Sequence, residues 1–190
     1  MLAFRDSGGA SELCYDASLH YIFYVAPLWP GGYVGGMLTK AGVDVTFIES
    51  WQAHIDAVRA NGLLVKDGPG TKNGTGDHRV QVKVLAISDL ATNTTAFDYC
   101  IIAMKSYDTE WSAKMMDAHV KPDGAFISVQ NGINDYRLAA SVTGGAARCI
   151  GCVTTVGNGC LQWGEVIRRD RQRKSFKVGE HDGSITPRAL

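Results

Sequence analysis

Residues 25–50, "VAPLWPGGYVGGMLTKAGVDVTFIES", decide the fold. From Gly31 the sequence predicts a helix that Gly42 ends, followed by a β-branched, apolar strand whose last residue is Glu49. The apolar and aromatic run at residues 21–26 predicts a strand before the helix. Strand, turn, helix and strand together make a βαβ unit, and such units build parallel sheets.

Two features of this unit predict a dinucleotide site. Gly31 and Gly32 open the helix, where backbone N–H groups can approach a pyrophosphate. Glu49 ends the second strand, where a carboxylate can accept hydrogen bonds from ribose hydroxyls. That carboxylate would repel a 2′-phosphate, which favours NAD over NADP, although Arg59 or Lys105 could offset the repulsion. Glycines that only pack a helix and a solvated acid at a strand end are the alternative explanation.

The rest of the chain continues the same alternation. Strands that alternate with helices predict an α/β protein with a doubly wound, mostly parallel sheet of the Rossmann type. Ser50 is the predicted N-cap of the helix after Glu49, and from about Cys149 the pattern predicts a small β extension made of hairpins. The other predicted helices are residues 51–60, 107–120 and 134–142, and the other predicted strands are residues 63–66, 79–87, 99–105, 125–130, 148–156, 166–168 and 176–178.

Lys105 and Asn131 each lie just past the carboxyl end of a predicted buried strand, at the edge where open α/β sheets bind ligands. Lys105 has a positive charge and three N–H donors, which suit a phosphate or another ligand oxygen. Asn131, in "VQNG", can offer its amide to a nicotinamide or to a substrate carbonyl, and it is the candidate catalytic residue. A surface lysine and an Asn-Gly turn are the alternatives.

Composition excludes several kinds of partner. The chain has 190 residues, 45% of them hydrophobic, and a formal net charge of zero, as in a soluble globular protein. Balanced charge gives no reason to expect nucleic acid or an acidic membrane as a partner, and no apolar run is long enough to span a bilayer. The basic run "RRDRQRK" (168–174) predicts a solvated turn, and His54 is expected to be a surface or half-buried residue.

The cysteines indicate a reducing compartment. Their number is odd, 5 in all, and most have apolar neighbours, so they are expected to be buried, reduced thiols of a cytoplasmic protein. Cys149 and Cys152 have the spacing of a redox or zinc motif. They lack a second pair and fall in a predicted strand, so we expect no metal site.

Several motifs occur together in the order and spacing of one enzyme family: "GGYVGGMLTKAGVDVTFIE", "ANGLLV", "AMKSYDTE", "ISVQNGIND", "GCVTTVG" and "VGEHDGSITPR". Over roughly residues 31–188 the chain resembles the N-terminal, nucleotide-binding domain of the ketopantoate reductase (2-dehydropantoate 2-reductase) family. The resemblance implies an oxidoreductase of pantothenate biosynthesis that uses NADP or NAD to reduce a 2-oxo acid to a 2-hydroxy acid. It also implies that Gly31 is the third glycine of a G-x-G-x-x-G turn, that Lys105 faces the cofactor, and that Asn131 lies by nicotinamide and substrate.

The segment before the predicted helix departs from the family. Ala26 and Leu28 stand where the family has its first two glycines, with Trp29 and Pro30 after them. Added bulk and a missing N–H weaken a turn whose backbone should contact phosphate. Residues 1–30 are therefore an atypical N-terminal segment that includes a possible first strand. A reading-frame shift upstream of Gly31 would explain it, and so would a genuinely divergent or artificial N-terminus.

We expect residues 21–190 to form an NAD(P)-binding, Rossmann-like domain. The family's helical second domain supplies a general-acid lysine and much of the contact of a homodimer, and we expect it to be absent, so that turnover is negligible. The alternative is a non-catalytic nucleotide-binding module or a degenerate remnant of such an enzyme. The sequence leaves open which 2-oxo acid is used and whether the cofactor is NAD or NADP.

Overall fold

The structure is a computed structural model that describes residues 3–5, 12–14, 19–24, 31–68, 76–169 and 176–189. The altered turn at residues 25–30 and residues 170–174 of the basic run lie outside the described residues. The helices and strands are β1 Ala3–Arg5, β2 Glu12–Cys14, β3 His20–Tyr24, α1 Gly31–Lys40, β4 Asp44–Glu49, α2 Gln52–Asn61, β5 Leu63–Asp67, β6 His78–Val80, β7 Lys83–Ala86, β8 Phe97–Ile102, α3 Thr109–Asp117, β9 Val120–Ser128, α4 Asp135–Ser141, β10 Cys149–Thr154, β11 Asn158–Gln162, β12 Glu165–Arg168 and β13 Phe176–Gly179.

The main sheet is a doubly wound Rossmann sheet. It has seven strands in the order β13-β10-β9-β8-β3-β4-β7. Every neighbouring pair is parallel except β10 and β13, which pair antiparallel at one edge. From the central strand β3, the chain adds β4 and β7 on one side and β8, β9 and β10 on the other, so the direction of winding reverses beside β3. The predicted fold class is confirmed.

A second sheet of four strands, in the order β11-β12-β5-β6, corrects the predicted C-terminal β extension. The β11–β12 hairpin is there, but β12 also pairs in parallel with β5, whose residues come from the middle of the chain. In turn, β10 belongs to the main sheet, where it pairs in parallel with β9. Hydrophobic periodicity marks a strand but does not identify its partner, so the sequence alone did not reveal this small sheet.

Helix α1 packs closely against the small sheet through two glycines. A Cβ atom on Gly32 would lie 2.7 Å from Cγ1 of Val166, and one on Gly36 would lie 2.9 Å from Cγ2 of Val65. Real Cβ atoms do not approach other heavy atoms so closely, so both positions need glycine for this packing. The helix ends at Lys40, and Gly42 follows it with φ of 92°, as predicted for a C-terminal glycine.

Two predicted elements have different boundaries. The strand predicted at residues 79–87 is two strands, β6 and β7, which belong to different sheets. The helix predicted at residues 107–120 ends at Asp117, and Val120 already starts β9. Phe97 pairs with Val120 but Tyr99 pairs with Ala125, so residues 121–124 bulge out of the ladder. That bulge accommodates a proline, whose missing N–H would otherwise break a sheet hydrogen bond.

Apolar side chains cover both faces of the main sheet. On one face the buried set includes Tyr21, Phe47, Ile101 and Ile127, together with residues of α1, α2 and the small sheet. On the other it includes Phe126 and apolar residues of α3 and α4. Because both faces of the sheet are buried, the sequences of the central strands are continuous apolar runs. None of the helices within the described ranges is long and apolar enough to cross a membrane.

Candidate nucleotide-binding site

The predicted site residues meet at the carboxyl edge of the main sheet. Glu49 is the last residue of β4, Lys105 follows β8, and Asn131 follows β9. Strands β4, β3, β8 and β9 are parallel neighbours in that order, so their carboxyl ends lie side by side. Three strand spacings separate β4 from β9, about 14 Å at the usual distance between strands. Helix α1 starts at the same edge because it follows β3, beside which the winding direction reverses.

Glu49 is buried, with 2% of its surface exposed. Its Oε1 accepts hydrogen bonds from the backbone N–H groups of Ser50 (2.7 Å) and Trp51 (3.1 Å). The prediction that Ser50 caps α2 is wrong: Trp51 is the N-cap residue, and it makes no side-chain cap bond. Burial raises the pKa of Glu49 to about 7, although the two backbone hydrogen bonds act in the opposite direction.

Gly31 and Gly32 are buried in the first turn of α1, a helix of 10 residues with no acidic residue in that turn. No carboxylate on the helix itself therefore competes with an anion for its N-terminus. Gly32 also lines a narrow cavity together with Glu49 and His54. The close contact with Val166 accounts for the glycine at position 32, and its role in cofactor binding stays a prediction.

Gln130 is a site residue that sequence reasoning missed. It is 5% exposed, and its side-chain amide donates to the carbonyl oxygens of Met104 (2.9 Å) and Lys105 (3.1 Å). Its Oε1 accepts from the hydroxyls of Thr109 and Ser128, each at 3.0 Å. One side chain thus joins the loop after β8 to the end of β9. The signal in the sequence was an amide residue at the end of the buried run "AFISVQ".

Lys105 and Asn131 are held through their backbones. The Lys105 carbonyl accepts from Gln130 and from the N–H of Asp108, 2.9 Å away, which starts a short turn leading into α3. Asn131 is exposed, and its carbonyl accepts from Nδ2 of the buried Asn134 at 3.1 Å. Both side chains therefore project from well-fixed loops. The chain bends at Asn131, and Gly132 after it has φ of 86°, a conformation that suits glycine.

His54 is buried, so the prediction of a surface or half-buried residue is wrong. The backbone N–H of Gly164 donates to His54 Nδ1 at 3.2 Å, and burial lowers the pKa of the ring. Trp163, in the same β11–β12 turn, meets Trp51 edge to face with ring centroids 5.1 Å apart. The β11–β12 turn therefore packs against Trp51, the second residue after Glu49, and both indole rings are partly exposed.

The structure describes the first two residues of the basic run and both members of the cysteine pair. Arg168 is buried with its guanidinium 5.6 Å from the centre of the Tyr33 ring, so the prediction of a solvated turn is wrong at this residue. Cys149 and Cys152 lie in β10 as predicted, and burial raises the pKa of both thiols to about 11. In the part of the chain that the structure describes, no three histidine, cysteine or acidic residues come together to hold a metal.

The residues present fit a dinucleotide in charge and in hydrogen-bonding type. The N-terminus of α1 and Lys105 suit the phosphates, Glu49 suits ribose hydroxyls, and Asn131 suits a carboxamide. Among the described residues, the donors to Glu49 bond to its Oε1, and none bonds to its Oε2. Oε2 therefore keeps an unused acceptor position, although the side chain is buried.

Comparisons with known proteins agree with this geometry. The family model described as ketopantoate reductase PanE/ApbA matches residues 30–183. A 2-dehydropantoate 2-reductase from Nostoc sp. (strain PCC 7120) is 31% identical over 139 residues, which cover 69% of this chain and 39% of that protein. The match to the family model starts next to Gly31, where the predicted resemblance also starts.

Solved structures share the fold. A PanE/ApbA family ketopantoate reductase from Ralstonia eutropha JMP134 superposes with a TM-score of 0.66 at 25% identity, covering 80% of this chain and 47% of that one. D-mandelate dehydrogenase, solved with NADH and anilino(oxo)acetate, gives a TM-score of 0.66 at 18% identity over 86% of this chain and 49% of its own. The chain thus spans less than half the length of these relatives. By its sequence and its fold, it belongs to the ketopantoate reductase PanE/ApbA family.

Proposed function

We propose that this chain is the nucleotide-binding part of an NAD(P)-dependent oxidoreductase of the ketopantoate reductase type, which reduces a 2-oxo acid to a 2-hydroxy acid. The observation that supports this most is the shared position of Glu49, Lys105 and Asn131 at the carboxyl edge of the main sheet. Each lies in a motif of the family, and α1 begins at the same edge. The NADH bound to the D-mandelate dehydrogenase of similar fold also supports a nicotinamide cofactor.

The side chains at the edge have separate roles in this proposal. A bound nicotinamide supplies the hydride. The ammonium group of Lys105 binds a negatively charged oxygen of the cofactor or the substrate. The amide of Asn131 orients the carboxamide of the nicotinamide or the ketone oxygen of the substrate, so that the ketone carbon faces the hydride donor. Gln130 fixes the loop that carries Lys105 relative to Asn131, because it bonds to the Lys105 carbonyl directly.

The proposal also covers the substrate, the pathway and the assembly of the complete enzyme. The substrate is a small 2-oxo acid, the reaction belongs to pantothenate biosynthesis in the cytoplasm, and the complete protein is a homodimer. The general-acid lysine that the resemblance implies belongs to the family's second domain.

Titration of NADH with the wild-type chain, followed by the fluorescence of the nicotinamide, tests the proposal. Lys105→Ala should weaken binding about tenfold, since it removes one charge-assisted hydrogen bond. Lys114→Ala is the matched control, because Lys114 lies on α3 in an ion pair with Glu110 and is not at the edge. Equal losses in both variants would point to a general charge effect and contradict the assignment of Lys105.

The alternative function makes a different prediction in the same experiment. A degenerate remnant, or a module that binds another ligand, would unfold cooperatively and give no NADH signal. Weak NADH binding that neither Lys105→Ala nor Asn131→Ala changes would also support the alternative function. Micromolar binding that both substitutions weaken supports the proposed function.

A further inference from the structure

We propose that Asn131 and Gly132 are a modification site, at which Asn131 deamidates spontaneously to aspartate and isoaspartate and so limits the lifetime of the cofactor site. The modification follows from the chemistry and geometry of the loop after β9. Its effect on cofactor binding rests on the proposed function, because that function assigns the amide of Asn131 to the nicotinamide or the substrate.

The reaction joins the side chain of an asparagine to the backbone of the next residue. The backbone nitrogen of Gly132 loses its proton and attacks Cγ of Asn131. The new C–N bond closes a succinimide ring, the bond from Cγ to Nδ2 breaks, and the side-chain nitrogen takes up a proton and leaves as ammonia. Water then opens the ring at either of its carbonyl carbons and gives aspartate or isoaspartate. Water is the only co-reactant, and no electrons are transferred.

The loop leaves both reacting groups accessible. Asn131 and Gly132 are exposed. Among the described residues, none bonds to the side-chain amide of Asn131, and none accepts a hydrogen bond from the N–H of Gly132. Gly132 has φ of 86°, and a Cβ atom built on it would meet no heavy atom within 4 Å. The attacking nitrogen is therefore neither held in a hydrogen bond of the loop nor shielded by a side chain.

A neighbouring side chain makes the same peptide group more reactive. Nδ2 of the buried Asn134 donates to the carbonyl of Asn131 at 3.1 Å. A donor at the carbonyl draws electron density from the nitrogen of that peptide group, because hydrogen bonds polarise the groups that they join. The N–H of Gly132 becomes more acidic as a result, which favours the loss of its proton in the first step.

Other Asn-Gly pairs of this chain are internal controls. Asn61 ends α2, and the N–H of Gly62 donates to a helix carbonyl at 2.7 Å. Asn158 and Gly159 lie in the β11–β12 ladder. Ring closure needs the backbone to leave both of these conformations, so we expect both pairs to be protected in the folded chain. A fourth pair, at residues 73–74, lies outside the described residues.

Conversion of Asn131 changes both its hydrogen bonding and its charge. An amide offers two N–H donors, whereas a carboxylate only accepts. Either product therefore removes the donor that the proposed function assigns to a nicotinamide or substrate oxygen, and it adds a negative charge at the edge of the sheet. We expect the fully converted chain to bind NADH about tenfold more weakly, as for the loss of one hydrogen bond.

Peptide mapping by mass spectrometry after incubation of the folded chain in a mildly alkaline buffer tests the modification. Acid should accumulate at Asn131 about tenfold faster than at Asn61 or Asn158, because those two react only after local unfolding. In urea, where the chain is unfolded, the three rates should become similar. Equal rates at the three asparagines in the folded chain would overturn the inference.

Substitution of the glycine gives a second test with a matched control. Gly132→Ala places a methyl group beside the attacking nitrogen and should slow the reaction at Asn131 about tenfold. Gly183→Ala is the control, because Gly183 is also exposed, has φ of 77° and has no heavy atom within 4 Å of an added Cβ. It imposes the same backbone strain and should leave the rate at Asn131 unchanged. With folding checked by circular dichroism, an unchanged rate in Gly132→Ala would contradict the inference.

NADH titrations of fresh and incubated chains separate this inference from the proposed function. Affinity should fall in step with the acid formed at Asn131, and incubated Gly132→Ala should keep the affinity that it had when fresh. Rapid deamidation with unchanged NADH affinity would uphold the modification and overturn its effect on the site. A fresh, folded chain that binds no NADH would contradict the proposed function, and the peptide map would still decide whether Asn131 is modified.

Discussion

The side-chain amide of Gln130 donates to the backbone carbonyl of Lys105 at 3.1 Å. The same amide reaches the Met104 carbonyl at 2.9 Å, and its oxygen accepts from two hydroxyls. All hydrogen-bonding atoms of this buried side chain are therefore used. The network joins the carboxyl ends of β8 and β9, and these are the strands that carry Lys105 and Asn131 to the site. Because it is fully satisfied, it rigidifies the edge of the sheet at low cost.

Gln130→Glu should destabilise the fold strongly. The new carboxyl group has the same shape but loses the two N–H donors, so the carbonyls of Met104 and Lys105 face an oxygen. We expect a loss of about 3 kcal/mol in the free energy of unfolding, as for buried groups left without partners. Denaturant unfolding measures it, and Asn131→Ala, at an exposed position, should change stability by only about 0.5 kcal/mol. A loss below about 1 kcal/mol in Gln130→Glu would mean that the network is not intact in solution.

The raised pKa of Glu49 makes stability depend on pH. Its pKa is about 7 in the folded chain against 4.5 for the ordinary side chain, so the folded state holds the proton more tightly. This contribution is fully present below pH 4.5 and is lost as the pH rises through 7. It amounts to about 3 kcal/mol from the size of the shift. Glu49→Gln lacks this contribution. The free energy of unfolding of the variant should therefore rise steadily relative to that of the wild type between pH 4.5 and pH 7.

His54 makes the free energy of unfolding depend on pH in the opposite direction, so its contribution has to be separated from that of Glu49. Burial lowers the pKa of His54, so its contribution to stability is lost as the pH falls through the acid range. The difference in unfolding free energy between wild type and Glu49→Gln, measured at each pH, cancels the His54 contribution because both proteins contain that ring. A difference that stays constant from pH 4.5 to pH 8 would show that Glu49 is not buried as described.

The contact between Gly32 and Val166 predicts a coupled pair. Alanine is favoured over glycine in helices by up to about 1 kcal/mol, but overpacking costs typically 1–3 kcal/mol. A Cβ on Gly32 would lie 2.7 Å from a methyl group of Val166, a short and stiff side chain. The cost of this clash should exceed the gain in helix propensity, so Gly32→Ala should destabilise the fold. In a Val166→Ala background the same substitution should become neutral or stabilising. Gly179→Ala, where nothing lies within 4 Å of the added atom, is the control.

Thermal and denaturant unfolding of these variants complete a double-mutant cycle. We expect a coupling free energy of about 1–2 kcal/mol, as for residues in direct contact. A cycle that closes without coupling would contradict the packing of β12 on the first turn of α1.

The sequence predicted the elements whose signals are local. The strand ending in Glu49 and the helix ended by Gly42 are confirmed because an apolar β-branched run and a helix-terminating glycine mark them directly. The positions of Lys105 and Asn131 after their strands are confirmed for the same reason. Their binding roles remain predictions.

What the sequence did not predict depends on contacts between distant residues. The pairing of β5 with β12 joins segments that share no local pattern. His54 is buried because Gly164 and Trp163 cover it from another sheet. Serine is a preferred N-cap, but here Trp51 is the N-cap residue, and Glu49 at the end of β4 accepts the backbone N–H groups of Ser50 and Trp51 just before the helix. Each of these outcomes needs the tertiary structure.

Isothermal titration calorimetry of the folded wild-type chain with NADH tests the central claim most directly. A working nicotinamide-nucleotide domain predicts a single site with a dissociation constant in the micromolar range, which Lys105→Ala should raise about tenfold. Absence of binding heat at millimolar NADH, from a chain that unfolds cooperatively, would contradict the account and identify a Rossmann domain that no longer binds its cofactor.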